Sequence, residues 1–489
     1  MDARTDYFIQ SALEVLGENL LGIVETDSYL RQPDYSSRCV RHFYVIVADN
    51  LVIDCITSLR YLQAEFFEFT LNYLTISELS YYPPHCMWQF TKNPWLLRSE
   101  KISDVVFPNI KGNLDIYRQA VFSVAHIARL YYLRNLTPKT HVWGVRQLGW
   151  AMRYAELGLY RLLESTELSC SIHKDSAYVL KAPTKDLNWL ITCNTSWQKF
   201  EEELLSNINV FRDAAARLSE IAEYYSALLQ HLYPETRTVP AHGKVDDLLS
   251  LQPLIDQVII LLRQFIGDRL LAFYLHGSAA RGDMRSGSDI DSIVIVDKVD
   301  AVILEAIRST QSRFKDLSIS VYSESNVHQY PSFRAYALIN GTKRVYGNLA
   351  LEMKPSLKGD VYGIINNLFT IRQIARSYLI SGTYGHRAHY MLGLMMKLTD
   401  HGCLRPLQIL KGGFYLTKKT QVLEYYRDNE ILTDVIKYTQ NLKECENTLK
   451  QKLLIGSRAE LENLFYSLLD ACEIVAERLN MVQVEKSIS

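Results

Sequence analysis

Hydrophobic and polar positions along this chain follow two different periods. Leu271-Ala272-Phe273-Tyr274-Leu275 and Ile293-Val294-Ile295-Val296 are apolar runs too short for helices, and each predicts a buried strand. Between them lie His276-Gly277-Ser278, a polar Arg281-Gly282-Asp283 loop and Ser288-Asp289-Ile290-Asp291. The order predicted is strand, glycine turn, short helix or loop, strand. Positions 248–265 and 300–314 carry helical spacing, 317–322 alternates as a strand, and 336–352 predicts a hairpin turning at Asn340-Gly341. Apolar residues three and four apart predict helices over 116–133, 143–163 and 200–232. From 360 to the end the pattern is helical, broken near Lys411-Gly412-Gly413.

The pattern repeats. Leu16-Gly17-Glu18-Asn19-Leu20-Leu21 falls on Ile266-Gly267-Asp268-Arg269-Leu270-Leu271 at an offset of 250, which also carries Arg31 onto Arg281 and Phe43-Tyr44-Val45-Ile46 onto Ile293-Val294-Ile295-Val296. Phe69-Thr70-Leu71-Asn72-Tyr73 falls on Leu317-Ser318-Ile319-Ser320-Val321 at 248, and Ile127-Ala128-Arg129 on Ile374-Ala375-Arg376 at 247. Slowly drifting offsets over this length imply two copies of a unit of about 240 residues, a pseudo-dimer in one chain and not a solenoid. The expected division is 1–110 (sheet), 111–236 (helical), a linker over 237–247 containing Pro240 and Gly243, 248–357 (sheet) and 358–489 (helical). The expected fold class is α+β, two tandem units of a small mixed sheet followed in the chain by a helical domain.

The chemistry-bearing stretch is Gly277 to Asp291. Gly277 has no Cβ, so backbone N–H groups can come close to a ligand; Ser278 adds a hydroxyl donor, and consecutive N–H groups in such a turn form an anion-binding concavity. Asp289 and Asp291 are two apart, so their side chains leave one face of an extended strand. They would repel each other without a cation between them, and magnesium takes hard oxygen ligands together with substrate phosphates. An Asp-x-Asp by itself is more often a solvated loop or a helix cap. The surrounding strand, Gly-Ser turn and second strand favour the functional reading.

Gly277, Ser278, Arg281, Gly282, Ser288, Asp289, Ile290 and Asp291 resemble the signature of the polymerase-β-like nucleotidyltransferase superfamily. The resemblance implies that the Gly-Ser turn, with Arg281 and Ser288, binds the phosphates of a nucleoside triphosphate, ATP by default. It also implies that Asp289 and Asp291 hold magnesium, two ions in the usual arrangement. The layout looks like the streptomycin/spectinomycin adenylyltransferases, whose proton-accepting glutamate would fall near Ser318. Serine is no general base at neutral pH, so Asp316, two residues earlier on the same face, takes that role, with Glu324 in reserve. The first copy carries Asp27-Ser28 at the Gly-Ser position and, at a constant offset, Cys39 and Arg41 at the two aspartates. An arginine cannot ligate magnesium, so 1–110 reads as a degenerate nucleotidyltransferase domain. Arg372 and Arg376 share a helix face and could reach a triphosphate, but Arg129 is the twin of Arg376 and favours packing.

A net charge of -1 gives no general basic character, which speaks against nucleic acid as the partner. The eight cysteines form no Cys-x-x-Cys pair, so neither zinc nor a disulfide framework is indicated. No apolar run spans a bilayer, the first residues do not read as a signal peptide, and a cytoplasmic, monomeric protein is expected. The expected activity is transfer of a nucleoside monophosphate to a hydroxyl of a small molecule, an aminoglycoside-like one being the example that the resemblance offers, with release of pyrophosphate. Two alternatives are a protein- or RNA-directed nucleotidyltransferase of toxin–antitoxin or defence type, and a non-catalytic nucleotide-binding protein with a relic site.

Overall fold

A computed structural model describes the chain except for 27–40, 50–53, 81–89, 91–94, 106–113, 166–185, 233–250, 285–288, 331–337, 350–356, 441–457 and scattered shorter gaps. The expected linker, together with Arg31 and with Asp27, Ser28 and Cys39 of the first copy, lies outside the described residues.

Two four-stranded sheets carry the architecture. The first comprises β1 (Leu20–Thr26), β2 (Arg41–Val47), β3 (Phe69–Thr75) and β4 (Trp95–Arg98). The second comprises β5 (Leu270–His276), β6 (Ile290–Val296), β7 (Leu317–Ser323) and β8 (Thr342–Gly347). Their orders are β3-β2-β1-β4 and β7-β6-β5-β8, each with one parallel pair and two antiparallel pairs. Even the irregularities recur: the ladder shifts between Leu20 and Gly22 and again between Leu270 and Ala272. β8 pairs with β5 at the sheet edge, and the hairpin expected over 336–352, with its turn at Asn340-Gly341, falls largely outside the described residues. The helices that matter below are α1 (Ala3–Leu16), α2 (Ile76–Ser80), α3 (Leu114–Leu133), α4 (Ile208–Leu232), α5 (Gln252–Ile266), α6 (Gly277–Arg281), α7 (Ala301–Arg313), α8 (Glu324–His328), α9 (Leu357–Ser381) and α10 (Arg458–Ile488). α1 and α5 both end at a glycine of positive φ, Gly17 at 55° and Gly267 at 56°, a geometry a Cβ would resist.

The sheets do not pair with the helices that follow them. The chain divides into one unit of Met1–Ile110 with Asp360–Ser489, and another of Lys111–Gly359. Each sheet therefore takes its helical partner from the other half of the sequence.

In both units a buried arginine makes the attachment. In the first, Arg376 of α9 is 1% exposed. Its Nη1 donates to the Tyr73 carbonyl at 3.2 Å and to Glu78 Oε2 at 2.7 Å, and its Nη2 to Glu78 Oε1 at 2.8 Å. In the second, Arg129 of α3 donates to the Val321 carbonyl at 3.1 Å, to Asn326 Oδ1 at 2.5 Å and to Ser219 Oγ at 2.9 Å, and pairs with Glu223 of α4. The acceptors correspond along the chain: Tyr73 to Val321, and Glu78 to Asn326. Glu78 and Asn326 also cap the short helices that follow their strands, through the Thr75 and Ser323 N–H groups at 2.9 and 3.2 Å. The expectation that Arg376 serves packing holds. Arg372 points the same way, held by Glu473 at 2.8 Å and Glu78 at 3.4 Å.

Burial would push the Glu78 carboxyl up, but the guanidinium of Arg376, and then that of Arg372, outweigh it and hold its pKa below the ordinary carboxylate range. A depressed carboxyl contributes stability that is present above its unfolded pKa and is lost as pH falls through the folded value. Arg376→Met should therefore destabilise the first unit by about 3–5 kcal/mol in urea unfolding, because it strands a buried carboxylate. Wild type should lose stability as pH falls below the ordinary carboxylate range, and Glu78→Gln should flatten that dependence.

Candidate active site

The second sheet brings the motif residues to one end. β5 delivers His276 and then Gly277 at the start of α6, where Gly277 takes φ +65° and Gly282 closes the turn at φ +72°. β6 runs antiparallel to β5 with Leu275 opposite Ser292, so one step further along the ladder His276 faces Asp291. The contact that defines the site lies here. A Cβ on Gly277 would sit 2.9 Å from Asp291 Oδ2, so the Asp291 carboxylate lies directly over the glycine turn. Only glycine permits both the backbone angle and this approach.

The parallel β6–β7 ladder sets Asp291 beside Ser318. Both are exposed although Ile290, Ser292, Leu317 and Ile319 around them are buried. Asp289 sits just before β6 and is exposed, with Asp316 just before β7. The Ile290 N–H donates to the Asp316 carbonyl at 2.7 Å, which ties the two strand starts together. By the two-residue period, Asp289, Asp291, Asp316 and Ser318 belong to one face of the sheet. Ser292 Oγ donates to the Ser318 carbonyl at 3.1 Å and fixes the strand from its buried side.

Of the expected phosphate-binding residues, Gly277, Ser278 and Arg281 share α6, with Ser278 and Arg281 half-buried, and Ser288 lies outside the described residues. Thr342, opposite His276 on β8, was not legible in advance and borders the same end of the sheet. Its only signal was its place after Asn340-Gly341. Glu324 opens α8 at the far end of β7, away from Asp291, and so drops out as the reserve base. Among the described residues no three carboxylate, imidazole or thiol groups converge on one point. Two aspartates of hard oxygen donors, both open to solvent, suit magnesium, which keeps waters and takes substrate phosphates for its remaining positions.

The ladder corrects the reading of the first copy. Ile290 pairs with Leu317 as Arg41 pairs with Phe69, and Asp291 with Ser318 as His42 with Thr70. His42, not Arg41, therefore stands where Asp291 does. The offset falls by one in the loop before β2, and a slip of one residue moves a side chain to the other face of the sheet. Arg41 stands in the place of Ile290, where it grips Glu25 through two hydrogen bonds at 2.5 and 2.6 Å and meets Asp2 at 2.7 Å.

Residues 259–341 match the family model described as a nucleotidyltransferase domain. The chain carries a nucleotidyltransferase domain in that segment. The matched segment runs from within α5 to the residue before β8, and it contains the glycine turn, both aspartates and β7. No curated protein is similar to the chain in sequence. Among solved structures, the chain is similar to a spectinomycin adenyltransferase, AAD(9), from Enterococcus faecialis, determined with ATP and spectinomycin. The identity is 12%, the TM-score 0.30, and the alignment covers 45% of this chain and 99% of that one. Among the described residues no helix is long and apolar enough to cross a membrane.

Gly277→Ala tests the geometry directly. The change forces a left-handed residue to carry a Cβ against Asp291 and should cost roughly 1 kcal/mol of stability. Nucleotide affinity, measured by calorimetry, should fall more than stability does, because the carboxylate must move.

Proposed function

We propose that the second sheet transfers a nucleoside monophosphate, AMP from ATP, to a hydroxyl group of a small molecule and releases pyrophosphate. The observation that carries this reading is the Asp291 carboxylate held over the Gly277 turn, which puts a metal ligand and a phosphate cradle in contact. Asp289 and Asp291 would hold magnesium, which when bound neutralises phosphate charge and polarises the phosphorus–oxygen bond that breaks. Gly277 and Ser278 would receive the triphosphate through their N–H groups and the serine hydroxyl. Arg281 and Ser288 would hold phosphate oxygens as the turn closes.

The acceptor oxygen attacks the α-phosphorus, the bond to the bridging oxygen of pyrophosphate breaks, and the hydroxyl proton passes to Asp316. This class of reaction depends on positioning and charge neutralisation more than on covalent chemistry. The AAD(9) structure was determined with spectinomycin, and an aminocyclitol or aminoglycoside is the acceptor class we would test first.

We further infer that the chain arose by tandem duplication and that the first copy is a pseudoenzyme. The matching strand orders, the recurring ladder shifts and the twin arginines support the duplication. His42 in the place of Asp291 supports the loss of magnesium chemistry, since an imidazole does not supply the negative charge that an aspartate presents.

Titration calorimetry of ATP, GTP, CTP and UTP with magnesium tests the site. One nucleotide should bind, and Asp289→Ala/Asp291→Ala should abolish that binding while leaving the thermal midpoint near wild type. Binding that survives the double substitution would overturn the assignment. With an acceptor in hand, Asp316→Asn should lower kcat by about 10² or more with KM for nucleotide unchanged, as expected for removal of a general base.

A further inference from the structure

The first unit contains a cavity of about 250 Å³ between the end of β3 and the helices α9 and α10. Its lining includes Leu74, Phe369, Arg372, Gln373, Arg376 and Glu473. It lies away from the place where His42 marks the lost catalytic position. Asp49, which also borders it, is seven residues beyond His42 along β2, roughly 20 Å at the rise of an extended chain.

Gln373 is the unusual member. It is 7% exposed, yet among the described residues neither its amide oxygen nor its amide nitrogen has a partner. Its backbone is fixed, with the carbonyl accepting from Asn72 Nδ2 at 3.1 Å. Arg376 Nε is also buried without a partner, although the rest of that guanidinium is engaged by Glu78 and Tyr73. Stranding buried polar atoms is costly, and each calls for an explanation.

The second unit shows what closes the equivalent space. There Phe122 and His126 correspond to Phe369 and Gln373, and Tyr322 corresponds to Leu74. The Phe122 ring packs on Tyr330 at 4.9 Å, on His126 at 5.7 Å and on Tyr322 at 6.3 Å, and Arg129 Nε donates to Ser219. Leucine in place of Tyr322 removes a ring, and glutamine in place of His126 presents a donor beside an acceptor.

We propose that this cavity binds a nucleobase in the form of an uncharged nucleoside. A primary amide presents adjacent donor and acceptor atoms, the pattern by which glutamine pairs with the edge of a base. Phe369 and the leucines provide flat apolar walls, and Arg376 Nε provides a further donor. A phosphate is disfavoured, because Arg376 is neutralised by Glu78, Arg372 is held by Glu473 and Glu78, and Asp49 adds another negative charge at the border. The site is independent of nucleotidyl transfer on the second sheet and would give the first unit a role in sensing.

The test is titration calorimetry of the full chain with adenosine, guanosine, cytidine and uridine in turn. At least one should bind, and Gln373→Leu should weaken that nucleoside by at least about tenfold. Leu74→Tyr, which restores the ring found in the second unit, should abolish binding. Gln373→Leu should melt at or above the wild-type temperature, because it removes two stranded polar atoms. If it melts well below wild type, Leu74→Tyr decides in the same way. Absence of binding to folded wild type, or affinity undiminished in the deciding variant, would overturn the proposal.

Discussion

The structure depends on a guanidinium taken out of water and met by a strand carbonyl and a capping side chain. Arg376 and Arg129 each reach from a long helix to the carbonyl at the end of a parallel strand, and each also engages the residue that caps the helix after that strand. The capping residue thus has two duties, fixing the turn of its own chain and receiving the helical domain. A planar donor with five N–H groups can serve both at once, which lysine could not. The two units solve the charge differently. Glu78 carries the counter-charge on the cap itself, whereas Asn326 is neutral and Glu223 supplies the charge from α4. The same arginine can accordingly be kept while its partners drift.

That shared clamp explains how helical domains can be exchanged between two copies. If both sheets end in the same receptor, a helical segment docks on either with almost the same local contacts, and chain connectivity decides the outcome. This is the logic of domain swapping carried out within one chain. Each sheet takes the helices of the other half, and the chain must cross between units twice. It also explains why the sequence reveals the repeat but not the pairing. The offset between Arg129 and Arg376 reports a correspondence of position, and it holds equally well for either pairing of sheets and helices.

The second sheet and its site were largely legible because their signals are local. Apolar runs of strand length, a glycine where positive φ is needed, and acids two apart each constrain the few residues beside them. Gly277 was singled out for lacking a Cβ, and the close Asp291 carboxylate is the physical reason. Errors came where a constant offset was carried across a loop. One residue lost between Arg31 and His42 turns an apparent Arg-for-Asp exchange into His-for-Asp, because alternation on a strand turns a slip of one into a change of face.

The two units also share a scaffold while differing in what it carries. Asp289 and Asp291 stand at the exposed start of β6, and His42 holds the place in the first sheet that Asp291 holds in the second. The clamp and core lie elsewhere and are untouched by that exchange. At the opposite end of the first sheet Leu74 stands where Tyr322 packs on Phe122 in the second unit, and a cavity with a stranded amide lies beside it. Packing a ring there stabilises the second unit, and its removal destabilises the first unless something else fills the space. A copy drifting freely would be expected to fill such a space with apolar side chains. One that retains a buried glutamine with no protein partner is keeping a polar group whose burial is unfavourable until a ligand meets it.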